Sequence, residues 1–371
     1  MTDANATLSA NENEKPPARR KRTRVAVLYN VDFEDSSPEG DPSWAARADV
    51  ASVATSVMRE LEAGGMEAEL VPVDGDLAAM RARIEAAAPD CVFNLCESLA
   101  GDARLESATP LVLELLGIPV TGSPSAVLSC ALYKDRVKEV LQRAGVPTPE
   151  SRVLRRADDP CDLPFPLIVK PVREDGSAGI LPRGVVHDEA SLRAVAAELQ
   201  SSFRQPCLVE QFIDGRELNV SLVGFPSARV LPLSEIDFSL MPEGEPRIVS
   251  YDAKWVEDSP EYLGTKPVLH PVLPPNVAAR VRRVALDAFR AVGLRDYGRV
   301  DIRLAANGTP YVIDVNPNCD LSPTAGMARA ASAVGMEYGA LVRLLVRYAL
   351  RRRVKESRDS QAAPRRSLAP G

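Results

Sequence analysis

Over the first third of the chain, short apolar runs alternate with stretches of helical spacing. Residues 24–30 (RVAVLYN), 68–72, 91–94 and 118–121 are short and apolar, as buried strands are. Between them, residues 49–64, 77–88 and 105–116 place apolar positions at helical spacing. These three stretches end on Gly-Gly, Pro89 and Gly117, which are helix stops. The order β-α-β-α-β-α-β predicts a small parallel sheet with helices on its faces. Residues 31–46 are rich in Asp, Glu, Pro, Ser and Gly and read as a loop.

The rhythm changes after Gly122. A helix is predicted over 132–144, followed by the Pro-punctuated link GVPTPES. Strands are predicted at 167–172 and 179–186, separated by the loop 173–178. A helix at 189–200 and a strand at 207–212 follow. Residues 218–224 and 229–235 alternate like an antiparallel pair, and 276–292 is a long helix. Strands at 299–304 and 311–315 flank Ala-Asn-Gly, a hairpin signal. An amphipathic helix is predicted over 336–352. Residues 1–23 and 353–371 are polar and read as a disordered leader and tail. The pattern divides the rest into domains at 24–122, 123–212 and 213–352.

Composition narrows the classes. At 371 residues the chain is long enough for two or three domains. A net charge of -6 gives no basic footprint for nucleic acid, so no nucleic-acid partner is expected. No apolar run approaches the roughly 20 residues that span a bilayer, so no membrane partner is expected either. The basic run from Arg19 to Arg24 reads as a solvated segment before the first strand. Six cysteines form no CxxC pair, and there are two histidines, which disfavours zinc. Cysteines in apolar runs and the missing secretory signal favour a cytoplasmic protein.

Candidate chemistry concentrates in RVDIRLAANGTPYVIDVNPN, residues 299–318. A hairpin turning at Asn307-Gly308 sets Asp301 opposite the region of Asp314. Asp314 and Asn316, two apart, share a face. Three oxygen ligands, two of them anionic, suit Mg²⁺. A merely solvated acidic strand end is the competing reading, against which the apolar neighbours Val300, Ile302, Val312, Ile313 and Val315 count. Lys170 lies inside LIVKPV and Lys134 at the start of a predicted helix. With Gly176 and Gly179 nearby they fit phosphate coordination better than two snorkelling side chains. Neither a P-loop nor a dinucleotide fingerprint is present. Glu210 and Glu217 could accept from an adenine amino group and ribose hydroxyls, or be ordinary surface carboxylates.

Six stretches occur in the order found in the ATP-grasp superfamily and most resemble its D-alanine–D-alanine ligase branch. They are LLGIPVTGSPSA, YKDRVKEVLQRAGVPTP, FPLIVKPVREDGSAGI, CLVEQFIDGRELNVSLVG, YDAKW and GRVDIRLAANGTPYVIDVNPN, spanning about residues 90–345. The resemblance implies an α/β and α+β architecture: an ATP-grasp fold behind an N-terminal parallel α/β domain. It implies Mg-ATP held between two α+β subdomains, with two Mg²⁺ ions (Mn²⁺ as the alternative). It also implies an acyl-phosphate mechanism that joins a carboxylate to an amine, and homodimers by analogy. Carried over by position, Lys134 and Lys170 contact phosphates, with Lys254 reaching in from a mobile loop. Glu210, Gln211, Phe212, Ile213 and Glu217 line the adenosine pocket. Asp301, Asp314 and Asn316 hold metal, Arg299 stabilises the oxyanion, and Ser177 belongs to the lid loop. Gln211 stands where a Lys is common.

The substrate side departs from that branch. The loop after the first strand lacks its Gly pair, and Arg47 or Asp49 falls near its ammonium-binding glutamate. NLCESLAGD, with Glu97, replaces its His-Gly segment, and Trp255 stands where Tyr is usual. Asn318-Cys319-Asp320-Leu321, followed by Ser322, replaces a Pro-Gly-Met turn. Asp49, Glu97, Trp255, Asn318, Asp320 and Ser322 are therefore the candidate substrate residues. These departures point to a product other than D-alanyl-D-alanine, with D-alanyl-D-alanine itself kept as an alternative. A carboxylate or small-molecule kinase on the same fold, or a non-catalytic ATP-binding regulator, are the alternative functions.

Overall fold

The computed structural model describes residues 22–31 and 50–362. Asp49, Arg47 and most of the predicted loop at 31–46 lie outside the described residues. Strand β1 (Arg24–Asn30) leads to helix α1 (Val50–Ala63), then β2 (Glu67–Val73), α2 (Leu77–Ala87), β3 (Cys91–Asn94) and α3 (Ala108–Leu115). The three strands form a parallel sheet in the order β2-β1-β3. β1 is apolar on both faces because both are covered. Val25 and Val27 pack against α1 through Val53, Val57 and Leu61. Ala26 and Leu28 pack on the other side with Met80, Ile84 and Leu113. Asp76 caps α2 by accepting from Ala78 and Ala79 N–H.

Two predictions for this region are corrected. Residues 105–116 are not one helix: a 3₁₀ turn at Ala103–Leu105 precedes α3. Residues 118–121 form no fourth strand but a single parallel bridge, Val92 to Val120. Gly122, at φ +85°, turns the chain away at once.

Two short helices follow, α4 (Ser125–Ala131) and α5 (Lys134–Arg143). The predicted single helix over 132–144 breaks at Tyr133, which is extended (φ −91°, ψ 97°), so the Lys134 N–H reaches the Val172 carbonyl. The next strands are β4 (Ser151–Leu154), β5 (Leu167–Pro171), β6 (Val185–Val186) and, after α6 (Glu189–Phe203), β7 (Cys207–Gln211). They form an antiparallel sheet ordered β4-β7-β5-β6. Most of the strand predicted at 179–186 is turn and 3₁₀, leaving only the two residues of β6. Pro182, which lacks an N–H, starts that 3₁₀ turn.

A second antiparallel sheet contains β8 (Gly215–Gly224), β9 (Arg229–Val230), β10 (Ser234–Asp237), β11 (Lys266–Leu269), β12 (Asp296–Ala305) and β13 (Pro310–Asn316). Its order is β11-β10-β8-β12-β13, with β9 paired to β8. The stretch 229–235 is thus two strands rather than one. Helices α7 (Tyr251–Trp255) and α8 (Pro260–Gly264) precede β11, and α9 (Pro275–Val292) backs the sheet. α9 buries Val281, Val284, Ala285, Ala288, Phe289 and Val292, an i, i+3/i+4 stripe, and stops at Gly293 in a left-handed conformation.

After α10 (Gly326–Ser332), α11 (Tyr338–Ala362) runs ten residues beyond the predicted end at 352. α11 returns to the start of the chain. Its Leu341, Val342, Leu345 and Val346 complete the core beneath α1. Arg352 on α11 ion-pairs with Asp296 and donates to the Val120 carbonyl. Asp296 also accepts from Gly122 N–H at 3.0 Å. Both side chains are buried, so this pair ties the parallel sheet to the second antiparallel sheet. Arg352→Ala leaves Asp296 buried without its cation. It should lower unfolding free energy in urea by roughly 3–5 kcal/mol, and a cost under 1 kcal/mol would show the tie to be dispensable.

Candidate functional site

The site is built on the β12–β13 hairpin. Asp301 pairs directly with Asp314, and Arg299 with Asn316, as the Asn-Gly turn predicted. Alternation puts Arg299, Asp301 and Arg303 on one face of β12. The Arg299 guanidinium holds Asp301 in a fork, with Nε to Oδ1 at 2.8 Å and Nη2 to Oδ2 at 2.9 Å. Asn219, opposite Asp301 on β8, donates Nδ2 to the same Oδ1 at 2.8 Å. Asp301 chiefly holds Arg299 well above the ordinary arginine value, so this guanidinium is a fixed positive charge.

A bulge follows. The register shifts so that Ile302 faces Val312, leaving Ile313 as the extra residue of β13. The freed Ile313 carbonyl lies 3.4 Å from Lys170 Nζ. The Lys134 ammonium donates to Asp314 Oδ1 at 3.1 Å and sits 3.6 Å from Asp175 Oδ1. Burial opposes the Lys134 charge, but Asp314 and Asp175 outweigh it and raise the ammonium above its ordinary value. Burial likewise opposes ionisation of Asp314, and Lys134 and Lys170 prevail to hold its carboxyl low.

Glu210 ends β7 beneath Lys170, at 2.6 Å, and also pairs with Lys138. The Glu210 carboxylate thus forms a buried Lys-Glu-Lys cluster on the wall of the larger cavity. Burial raises the Glu210 pKa, yet Lys138 and Lys170 together bring it below the usual carboxylate value. Gln211, Phe212 and Ile213 lead from β7 into β8. Glu217 on β8 meets Arg303 Nη1 at 3.1 Å, and burial, partly offset by Arg303, raises its pKa.

The loop at 173–178 borders the same cavity. Ser177 is left-handed (φ +66°) and donates Oγ to the Val249 carbonyl at 3.1 Å. Trp255 donates Nε1 to the Gly176 carbonyl at 2.8 Å, and Lys254 Nζ lies 4.9 Å from the Trp255 ring centre. Burial, then Arg299, lowers the Lys254 pKa. Gly179 permits the loop's tight return: a Cβ there would stand 2.5 Å from Pro171 Cγ.

Two cavities meet at these residues. The larger, about 830 Å³, lies between the two antiparallel sheets. Its wall includes Lys134, Lys170, Glu210, Glu217, Asp301 and Asp314, as well as Ser177, Gln211, Phe212, Ile213 and Ser322. That volume falls in the range of about 300–1,000 Å³ common for ligand pockets. The smaller, about 180 Å³, reaches into the parallel-sheet region, where Glu97, Glu106 and Asn318 line it. Lys254, Trp255, Arg299, Asn316 and Asp320 line both. Every predicted site residue among the described ones thus lines one cavity or both. Asn318 is fully engaged: its oxygen accepts from Tyr297 OH at 2.7 Å, and Nδ2 donates to Glu106 at 2.8 Å and to Cys96 O at 3.1 Å.

Among the described residues no group of three or more His, Cys, Asp or Glu gathers as a metal cluster. The oxygens the sequence offered for a metal are two carboxylates and the Asn316 amide. Asn316 Oδ1 already accepts from Asn318 N–H at 3.0 Å, which leaves its second lone pair. Three hard oxygens facing a cavity fit Mg²⁺, which keeps its other positions for water and phosphate. Lys138, Asp175, Asn219 and Arg303 were not singled out in the sequence. Lys138 was findable as Lys134 plus one helical turn, and Arg303 as Asp301 plus two on one strand face.

Residues 140–347 match the family model "D-ala D-ala ligase C-terminus". The chain is 33% identical over 346 residues to the uncharacterised protein y4sG of Sinorhizobium fredii, covering 89% of this chain and 97% of that protein. It is 32% identical over 335 residues to the D-alanine–D-alanine ligase of Chromohalobacter salexigens, covering 88% and 94%. In fold it is similar to the D-alanine–D-alanine ligase of Bacillus anthracis complexed with ATP. The TM-score is 0.69 at 21% identity, over 91% of this chain and 99% of that one. The fold and the charged cavity between its sheets define an ATP-dependent carboxylate–amine ligase of the ATP-grasp type. The chain belongs to the D-alanine–D-alanine ligase family.

The Lys-Glu-Lys cluster makes a testable demand. A depressed Glu210 pKa stabilises the fold above about pH 4.5, the unfolded value, and that contribution disappears as pH falls through the folded value. Glu210→Gln should cost roughly 3–5 kcal/mol at pH 7, where it strands two buried lysines. The gap between variant and wild type in urea unfolding should narrow on acidification below pH 4.5. A gap independent of pH would contradict the assignment.

Proposed function

We propose that this chain uses Mg-ATP to join a small amino-acid or peptide carboxylate to a second amine through an acyl phosphate. The observation that carries the reading is the meeting of the two cavities at Arg299 and Lys254. The nucleotide occupies the larger cavity, with its adenosine along Gln211–Ile213 and Glu217 and its phosphates among Lys134, Lys170 and Lys254. The substrates occupy the smaller one, beside Glu97, Asn318 and Asp320. The domain limits at 122 and 212 follow the same division. Free cysteines, four of them buried, support a cytoplasmic setting.

Asp301, Asp314 and Asn316 would hold two Mg²⁺ ions, whose charge would neutralise phosphate oxygens. Lys134 and Lys170 leave their carboxylate partners for the incoming phosphates. A substrate carboxylate oxygen attacks the γ-phosphorus, and ADP departs as the P–O bond breaks. The amine then attacks the acyl carbon, and inorganic phosphate leaves. Arg299, fixed by Asp301, stabilises the oxyanion of that tetrahedral intermediate. Lid closure through Ser177 and Trp255 excludes water that would hydrolyse the acyl phosphate. Positioning and charge neutralisation carry this chemistry, and no protein nucleophile is required.

Phosphate release from ATP across an amino-acid and dipeptide panel, with products weighed by mass spectrometry, tests the reading. Turnover that needs both a carboxylate and an amine, with an amide product, is expected. A phosphorylated product without amide would replace ligation by kinase activity. Asp314→Ala should lower turnover at least 100-fold with an unchanged circular dichroism spectrum. Wild-type rates from that variant would refute the metal assignment.

A further inference from the structure

At neutral pH the amine that attacks an acyl phosphate arrives as an ammonium, which has no lone pair. A proton must leave the nitrogen before the C–N bond can form, and a group near the acyl carbon has to take it. That point is the meeting of the two cavities, beside Arg299. Among the described residues, five ionisable side chains line both cavities: Glu174, Asp175, Lys254, Arg299 and Asp320. Neither His187 nor His270 lines either one.

Four of the five are already engaged. Arg299 is a fixed cation in its fork with Asp301. Lys254, assigned above to the phosphates, stays protonated beside their charge and is then donor-only. Both Asp320 oxygens accept from Ser322, from its N–H at 2.7 Å and its Oγ at 3.2 Å. Glu174 accepts from Gln205 Nε2 at 2.7 Å. Trp255 also lines both cavities, but its indole nitrogen is donor-only and is spent on the Gly176 carbonyl.

Asp175 differs. Its side chain is 48% exposed, and its ion-pair partner Lys134 stands at 3.6 Å, longer than a hydrogen bond. Its place is nonetheless set. The Asp175 carbonyl accepts from Ala178 N–H at 3.1 Å, and Trp255 grips the next residue. Lys134 from α5, Asp314 from β13, Lys254 from α7 and Glu106 from the turn before α3 face the carboxylate, with Glu174 beside it in the chain. Enclosure by these elements raises its pKa above the usual aspartate value, against the pull of Lys134. When Lys134 turns to an incoming phosphate, the nearest cation leaves and the carboxylate is free.

We propose that Asp175 is the general base of the ligation, accepting a proton from the substrate ammonium where the two cavities meet. The role rests on the acyl-phosphate reading of the site. An ammonium N–H bond breaks, Asp175 becomes a carboxylic acid, and the freed lone pair forms the C–N bond. The oxyanion held by Arg299 then collapses and the C–O bond to phosphate breaks. The nitrogen's second surplus proton leaves with the phosphate, and Asp175 returns its own to water when the product departs. Nucleotide binding arms the base, because Lys134 gives up Asp175 for a phosphate.

The carboxylate–amine pair found in the panel above, with hydroxylamine as a second acceptor, tests this. Hydroxylamine is a free base at neutral pH and traps an acyl phosphate as hydroxamate without an ammonium proton to remove. Asp175→Asn keeps the side chain's shape and should lower amide formation roughly 10²–10⁴-fold, while hydroxamate formation keeps most of its rate. The residual amide rate of that variant should climb with pH as the acceptor deprotonates in solution, and Asp175→Glu should recover part of the loss. Equal losses toward the amine and hydroxylamine would overturn the proposal and leave Asp175 a residue of the phosphoryl-transfer step. Wild-type amide rates from Asp175→Asn would overturn it as well. A wild type that turns over no pair, with or without hydroxylamine, would remove the ligase reading itself and the base with it.

Discussion

Every cation that faces the nucleotide cavity from β5, β12 or α5 is held by a carboxylate. Lys134 leans on Asp314, Lys170 and Lys138 share Glu210, Arg299 grips Asp301 and Arg303 grips Glu217. Buried charges cannot stand alone, so each position depends on its neighbour and on the register that brings the two together. That register is set by the antiparallel pairing of β12 with β8 and β13, and of β5 with β7. A one-residue slip in either sheet would turn these side chains to the opposite face and strand them. The charges thus constrain the sheets as much as the sheets position the charges. The arrangement is also preorganised, because the positive groups are in place before an anionic ligand arrives.

The pairs differ in what they can do next. Arg299–Asp301 is a two-point fork reinforced by Asn219, which makes it rigid. Lys134 is a point charge on a flexible stem, shared between Asp314 and the lid carboxylate Asp175. It can transfer its attention to a phosphate without leaving the site. Glu210 serves two lysines, so Lys170 can move while Lys138, also bonded to Thr148 at 2.9 Å, keeps the carboxylate neutralised. Rigid arginines and mobile lysines fit a site that must both receive a polyanion and steady a short-lived oxyanion.

Much of this was legible in the sequence because local signals coincide. The Asn307-Gly308 turn and the alternation around it gave the hairpin, and hence Asp301 opposite Asp314. The apolar flanks of Lys170 gave a buried ammonium. What escaped depends on long-range partners or on backbone detail. Arg303 looks like an outward-facing strand residue until Glu217, 86 positions away, is seen beside it. The bulge at Ile313 has no composition cue, although it aims a carbonyl at Lys170. Residues 118–121 carry a strand's composition yet bridge only once, since Gly122 redirects the chain toward Asp296. The pairing of Glu210 with Lys138 also escaped, because the two lie 72 positions apart.

The two halves of the site are made of different material. The larger cavity takes most of its charged lining from sheet residues, such as Lys170, Glu210, Glu217, Arg299, Asp301 and Asp314, whose partners are fixed by register. Changing one of them strands a charge. The smaller cavity is walled partly by connections, Leu95–Glu97, the 3₁₀ turn near Glu106 and the segment 317–321 after β13, and partly by α1, α4, α7 and the strands at Arg299 and Asn316. These segments are held by side-chain contacts to one another, as Asn318 is by Tyr297, Glu106 and Cys96. Underneath, α11 and the Asp296–Arg352 pair lock the parallel-sheet domain in position independently of any substrate contact. The scaffold thus holds the smaller cavity by packing and by one buried ion pair, and the larger by charge pairs set by strand register.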